Sequence, residues 1–135
     1  IKEQGPMKSS RLTPFLLSVL RIAAGALYVA HGTQKLFGVP GHPFHAPVFA
    51  ASLMFAAGML ETFGGILMVL GLFTRPIAFV LSGQMAVAFF TQHFPGGPWP
   101  ILNGGELAVL YCFLWLFFFA AGPGPISIDK LRKRA

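Results

Sequence analysis

Four long apolar segments, separated by short polar or Gly/Pro-rich stretches, account for most of the chain. They run from about Pro14 to Phe37, Val48 to Phe73, Pro76 to Phe94 and Pro100 to Ala121. A helix needs roughly 20 apolar residues to cross about 30 Å of hydrocarbon, and these segments approach or exceed that length. They also lack the alternating polarity of a barrel strand. The pattern predicts an all-α membrane protein with the fold of a four-transmembrane-helix bundle.

The gap between the second and third segments is only Thr74-Arg75-Pro76. Such a short connection predicts a tight helical hairpin, and we expect a single domain. Gln4-Gly5-Pro6 resembles the remnant of a protease site, so residues 1–6 are interpreted as tag-derived and Met7 as a natural start. The predicted organisation is a polar N-terminal segment at 1–13, a four-helix transmembrane domain at 14–121 and a basic cytoplasmic tail at 122–135.

Composition agrees with a membrane protein: 55% of the residues are hydrophobic and 10% are charged, and the mean hydropathy is +0.69. A soluble domain carries about 25% charged residues. The net charge of +6 would suggest nucleic acid in a soluble protein, but here most basic residues lie near the chain ends: Lys2, Lys8, Arg11, Lys130, Arg132, Lys133 and Arg134. By the positive-inside rule they predict that both termini and the Arg75 loop are cytoplasmic, and no nucleic-acid partner is expected.

The single cysteine, Cys112, lies inside the fourth apolar segment. One cysteine can form neither an intrachain disulfide nor a Cys-x-x-Cys redox pair. We therefore expect Cys112 to be chemically silent. Without a cysteine pair or another recognisable catalytic constellation, a stand-alone catalyst is not predicted.

Polar residues within the apolar segments form two predicted layers. Arg21, Glu61 and Gln84 share one depth by residue count. Ions inside a membrane usually face the bundle interior and pair, although a long arginine side chain can also reach the surface. Because Gly58 and Gly64 flank Glu61 and allow close helix packing, we predict a buried Arg21–Glu61 pair.

The second predicted layer lies nearer the opposite surface. It contains His31, Lys35, His93, Asn103 and Glu106. Asn103 and Glu106 also have the spacing of a capping box at a helix start, in which each side chain binds a backbone amide. The two interpretations are compatible, since a capping carboxylate at the mouth of a bundle can also meet a lysine or a ligand.

The loop from Gly38 to Pro47 is rich in glycine, proline and aromatic residues, which indicates a compact interfacial lid. His42 and His45 have a spacing that can hold a metal. However, no Cys or Asp lies nearby to complete a ligand set. We interpret them as solvated histidines and predict no metal site.

Several motifs together resemble the DoxX family. They are His31-Gly-Thr-Gln-Lys-Leu-Phe-Gly38, Glu61-Thr-Phe-Gly-Gly65, Leu70-Gly-Leu-Phe-Thr-Arg75, Pro100-Ile-Leu-Asn-Gly-Gly-Glu106 and Ser127-Ile-Asp129. The resemblance covers about Leu12 to Asp129 in order. It implies a multi-pass protein of the bacterial cytoplasmic (inner) membrane, distantly related to DoxD, which is linked to thiosulfate oxidation with quinone as acceptor. It also implies a relation to membrane redox proteins such as vitamin K epoxide reductase and MauE, whose cysteine pairs this chain lacks.

The leading functional hypothesis is a redox-linked accessory subunit whose polar interhelical pocket binds a quinone-like ligand or a partner. Other membrane or peripheral redox subunits and the lipid bilayer are the expected partners. One alternative is a structural subunit of a larger respiratory or photosynthetic complex, in which the polar residues only hold the helices of the bundle together. The third is a pathway for a small solute or protons.

Overall fold

The computed structural model describes residues 11–41 and 48–134, and within these ranges the regular structure is helical, without strands. The helices are α1 Leu12–Phe37, α2 Val48–Leu70, α3 Thr74–Ala88, α4 Pro100–Asn103, α5 Glu106–Ala121 and α6 Ile128–Arg134. A π-helical turn, Phe89–His93, and a 3-10 turn, Phe94–Gly96, extend α3.

The apolar helices confirm the predicted all-α membrane class. Three helical stretches are long and apolar enough to cross a membrane: Leu12–Phe37, Ser52–Leu70 and Thr74–Gly96. Glu106–Ala121 is a shorter apolar helix. Its 16 residues extend about 24 Å at about 1.5 Å per residue, so it crosses most of the hydrocarbon.

The structure moves one predicted boundary by a few residues and divides one predicted segment, and glycine explains both. The turn between α2 and α3 is Gly71 to Phe73, while Thr74 to Pro76 already form the first turn of α3. Gly71 has φ 66° there. The fourth apolar segment is not one helix, because Gly104 adopts φ 76° and separates α4 from α5. Glycine reaches this left-handed region without the steric cost that other residues meet.

Glycines also set the contact between α1 and α2, as predicted from the small residues around Glu61. A Cβ added to Gly25 would lie 2.9 Å from the carbonyl oxygen of Gly65, and one added to Gly65 would lie 2.9 Å from that of Gly25. A Cβ on Gly32 would likewise lie 2.9 Å from the carbonyl oxygen of Gly58. The two backbones therefore touch at two levels, where any side chain would force them apart.

The second helical pair is α3 with α5, and large side chains fill the space beside it. Trp115 and Phe118 of α5 are fully buried, together with Met68 of α2 and Leu81 of α3. Ser82 Oγ donates to the carbonyl oxygen of Cys112 at 2.7 Å and links the two helices. The α1–α2 and α3–α5 pairs thus meet around an aromatic core.

The chain after α5 folds back onto the bundle. The amide of Ile126 donates to Ser18 Oγ at 3.1 Å, and the amide of Asp129 donates to the carbonyl oxygen of Gly71 at 2.9 Å. We call this side of the molecule, which holds the start of α1, the α2–α3 turn and α6, the basic end. The opposite side, which holds Gly38 and the segment from Phe94 to Gly105, is called the loop end.

Helix termini at the basic end are capped by side chains from other elements. Asp129 accepts hydrogen bonds from the amides of Phe73 and Thr74, both at 2.9 Å, at the start of α3. Arg75 donates to the carbonyl oxygens of Phe119 at 3.1 Å and Ala120 at 2.6 Å, at the end of α5. These bonds satisfy donors and acceptors that a helix leaves unpaired at its ends.

Asp129→Asn is expected to lower stability by about 0.5–2 kcal/mol, the range for losing a helix cap. Burial alone would raise the pKa of Asp129, but the hydrogen bonds from Thr74 and Phe73 outweigh it and hold the pKa below its usual value. The pKa of Asp129 in the folded state is thus below its value in the unfolded state, which is about 4. The stabilisation is complete above that pH and is lost as the pH falls through the folded-state pKa.

Thermal unfolding of the detergent-solubilised protein from neutral to acidic pH checks this expectation. Glu106→Gln is the matched control, because Glu106 is an exposed carboxylate that forms no hydrogen bond with the described residues. Asp129→Asn should be less stable than the parent at neutral pH and should lose less stability on acidification. Equal curves for the two variants would show that the Asp129 cap does not contribute.

The termini are predicted to be cytoplasmic, on the basis of the basic residues near the chain ends. Reporter fusions after Ala135 and within residues 42–46 test this orientation. We expect a cytoplasmic signal from the first and an external signal from the second. The reverse pattern would place the basic end outside the cell.

Candidate functional site

A cavity of about 740 Å³ opens in the half of the bundle nearer the loop end. Helices α1, α2, α3 and α5 all contribute to its lining, as does the π-helical turn after α3. Of the predicted site residues, the lining includes His31, Lys35, Glu61, Gln84 and His93. The other three, which are Arg21, Asn103 and Glu106, do not line it.

A chain of four polar side chains crosses this cavity. Lys35 Nζ lies 2.7 Å from Glu61 Oε2, which is the one ion pair between described residues. Gln84 Nε2 donates to Glu61 Oε1 at 2.9 Å. Tyr28 Oη in turn donates to Gln84 Oε1 at 2.8 Å. Both oxygens of the buried carboxylate are therefore satisfied, each by a different helix.

Exposure distinguishes the two members of the ion pair. The side chain of Glu61 is 3% exposed, whereas that of Lys35 is 15% exposed. An ammonium has three N–H donors, and one points at Glu61. Lys35 thus retains N–H donors for another acceptor in the cavity, while the ion pair with Glu61 holds the ammonium group in place.

The predicted Arg21–Glu61 pair is wrong. Arg21 is fully buried, but Nε donates to the carbonyl oxygen of Met68 at 2.7 Å. Its terminal nitrogens donate to the carbonyl oxygens of Ile126, at 2.6 Å, and Pro123. Arg21 therefore joins the end of α2 to the returning chain and lies outside the cavity.

Asn103 and Glu106 do not form the predicted capping box. The N-cap of α5 is Gly105, with no side-chain hydrogen bond. Asn103 Oδ1 instead accepts the Gly105 amide at 2.8 Å, and Nδ2 donates to the carbonyl oxygen of Gly97 at 2.7 Å. His93 Nδ1 donates to the carbonyl oxygen of Asn103 at 3.2 Å. Asn103 therefore holds the loop that closes one side of the cavity, and it positions His93.

Aromatic rings also line the cavity. Tyr111 packs on Tyr28 with ring centroids 5.1 Å apart, and it stacks on Trp115 at 5.8 Å. The ring of His31 meets Tyr111 edge-on at 6.3 Å. Tyr111 was missed as a site residue. The signal that could have found it is the identity of the tyrosines, because the chain has only 2, at positions 28 and 111.

The π-helical turn was also not predicted. It brings Thr91, Gln92 and His93 into the cavity lining at the end of α3. A π-helical turn costs regular hydrogen bonding and is often found at functional sites. His42 and His45, interpreted above as solvated, lie outside the described residues.

Comparison with known proteins identifies the family. The DoxX family model matches residues 16–94, which include all four members of the polar chain. The chain belongs to the DoxX family. Within the family, the relatives extend the similarity beyond that region, to 87% of this chain.

Two relatives show the extent of the match. An uncharacterized protein of Haemophilus influenzae is 40% identical over 121 residues, covering 87% of this chain and 90% of that protein. Inner membrane protein YphA of Escherichia coli is 30% identical over 128 residues, with the same coverage. No solved structure matches the chain. DoxX membership and the apolar helices together identify a multi-pass protein of the bacterial inner membrane.

Cys112→Ala is expected to leave the stability of the protein nearly unchanged. The thiol lies 3.6 Å from Ser82 Oγ, but the shorter bond from Ser82 goes to the backbone carbonyl, which alanine retains. Thermal unfolding and membrane abundance check the prediction. The comparison variant is Ser82→Ala, which removes the shorter bond itself and should be the more damaging. A larger loss with Cys112→Ala would reopen a chemical role for the thiol.

Proposed function

We propose that this DoxX-family protein binds a quinone-like ligand in the cavity and serves as a redox-linked accessory subunit of the inner membrane. The observation that carries the proposal is the cavity itself, crossed by the Tyr28–Gln84–Glu61–Lys35 chain. Its volume of about 740 Å³ lies within the range of small-molecule sites, about 300–1,000 Å³. Such sites combine apolar walls with a few convergent polar groups.

The donors fit the chemistry of a quinone. Its ring is flat and apolar, and its two carbonyl oxygens accept hydrogen bonds. Lys35 provides donors on one side of the cavity, and His31 and His93 are two further titratable lining groups. Tyr111 offers an aromatic surface for the ring. Electron transfer would then need a redox partner, which is why the role proposed is that of an accessory subunit.

A lateral groove supports a ligand that also carries a hydrocarbon tail. It lies between α2 and α3, has a volume of about 250 Å³ and is lined only by apolar residues and glycine, including Phe63, Gly64 and Leu67. Leu60 and Val80 line both this groove and the cavity. Both residues are also exposed on the outside of the bundle. A ligand dissolved in the bilayer could therefore enter sideways and leave its tail in the groove.

Tryptophan fluorescence tests the proposal. The chain has 2 tryptophans, so Trp99→Phe leaves Trp115, which packs against Tyr28 and Tyr111 beside the cavity. Titration with a short-chain prenylated benzoquinone in detergent should quench this emission. The quenching should saturate at a low quinone concentration. The same ring without a tail should bind more weakly.

Two variants show whether quenching reports the cavity. Ala57→Phe adds a ring to a lining residue and should abolish saturable quenching, whereas Ala26→Phe adds it to the exposed face of α1 and should not. Equal quenching in both variants would contradict the proposal. Recovery of a stoichiometric complex from native membranes without a bound quinone would favour the structural-subunit alternative instead.

A further inference from the structure

A second cavity, of about 820 Å³, lies at the basic end of the bundle. The first turns of α1 and α3 form one side of it, and the chain after α5, including α6, forms the other. It shares no lining residue with the cavity at the loop end. The cavity at the basic end is therefore a separate site from the one proposed to bind a quinone.

Four cationic side chains line this cavity: Arg75, Lys130, Arg132 and Lys133. The single carboxylate in the lining is Asp129, whose two oxygens already accept the amides of Phe73 and Thr74. None of the four cations forms an ion pair with a described residue. The lining therefore has an excess of positive charge that is not neutralised within the described chain.

Two of these cations are held in position. Arg75 is fixed by its bonds to the carbonyl oxygens at the end of α5. The guanidinium of Arg132 lies over the ring of Phe73, 4.9 Å from its centroid. The lysines come from the same short helix, α6, which the Asp129 bonds anchor to the bundle. The cationic groups therefore surround one space and are not spread over a mobile tail.

The remaining lining is apolar and continues toward the membrane. Pro14 and Leu17 belong to the first turns of α1, a helix long and apolar enough to span the bilayer, and Pro76 belongs to the first turn of α3. Leu12 and Phe15 beside them are exposed apolar residues. Cationic and apolar side chains thus lie together at the ends of the spanning helices. This level of the protein corresponds to the lipid headgroups of the bilayer.

We infer that this cavity binds the phosphate group of an anionic phospholipid, with the acyl chains lying against the start of α1. A free phosphate would satisfy the cations but would leave Pro14 and Leu17 without a partner. An anionic lipid satisfies both sets of residues at once. Juxtamembrane basic groups commonly attract such lipids, and clustered ones recognise their headgroups.

Native mass spectrometry of the full chain tests the inference. Protein purified in a mild detergent is mixed with phosphatidylglycerol or phosphatidylcholine, and the fraction carrying lipid is measured. We expect retention of phosphatidylglycerol in preference to phosphatidylcholine. Arg132→Gln should weaken this retention about fivefold, the effect of removing one basic group near a membrane surface. The double variant Lys130→Gln/Lys133→Gln should weaken it further.

Arg11→Gln is the matched control, since Arg11 is exposed at the same end but does not line the cavity. It should retain phosphatidylglycerol almost as the parent does. Equal losses for Arg11→Gln and Arg132→Gln would overturn the site in favour of diffuse attraction. Competition separates the two phosphate sources: if inorganic phosphate displaces the lipid at similar concentration, the site recognises phosphate alone and the lipid assignment is wrong. Unchanged thermal unfolding of the variants confirms that they are folded.

Discussion

Lys35→Met is expected to destabilise the bundle by about 3–5 kcal/mol, the cost of leaving one member of a buried ion pair without its partner. Glu61, with a side chain 3% exposed, would retain only the hydrogen bond from Gln84. A carboxylate without its cation is costly inside a membrane-spanning bundle. The variant should therefore unfold at a lower temperature than the parent, as thermal unfolding in detergent would show.

A double-mutant cycle measures the coupling of the pair. Glu61→Gln removes the charge but can retain the bond to Gln84, and Lys35, being 15% exposed, can turn toward water. Glu61→Gln should thus cost less than Lys35→Met. The double variant should be more stable than Lys35→Met alone, because no unpaired buried ion remains. Lys133→Met, at an exposed position, controls for the change of residue type. Simple addition of the two single effects would show that Lys35 and Glu61 are not coupled.

The sequence predicted which helices form and which residues are polar within them, since long apolar runs and intramembrane charges are strong signals. It also predicted that glycines would bring α1 and α2 together. It did not predict the partner of Glu61. In the observed register Gly65 lies opposite Gly25 and Gly58 opposite Gly32, so Glu61 lies at a level between Arg21 and Lys35 along α1.

Side-chain direction decides between the two cations. Helical side chains point toward the N-terminus of their own helix. Because α1 and α2 run in opposite directions, Lys35 and Glu61 point toward each other, while Arg21 points away from Glu61 toward the basic end. Residue counting placed Arg21 at the depth of Glu61 and Lys35 in the other layer, and it ignored this direction. The fold-back of the chain after α5, which provides two of the Arg21 acceptors, depends on contacts distant in sequence and has no local signal.

Arg21→Met is the second change expected to have a large effect, about 3–5 kcal/mol in total, because each buried carbonyl oxygen left without a donor costs about 1–3 kcal/mol. It would leave the carbonyl oxygens of Met68, Pro123 and Ile126 without their shared donor. Two elements should loosen together, the end of α2 and the returning chain. Trypsin tests the second directly, because Lys130 lies in α6 and cleavage after it requires that helix to detach and unfold.

Two further arginine variants show whether geometry or charge is responsible. Arg21→Lys keeps the charge, but an ammonium lacks the planar fork that reaches acceptors on two segments, so it should recover only part of the stability. Arg75→Met is the matched control, since Arg75 also bonds to carbonyl oxygens at a helix end but is exposed to solvent. It should cost much less than Arg21→Met, because water can replace the lost donor. Equal losses at the two positions, or full rescue by lysine, would show that Arg21 does not bridge α2 and the returning chain through its fork of donors.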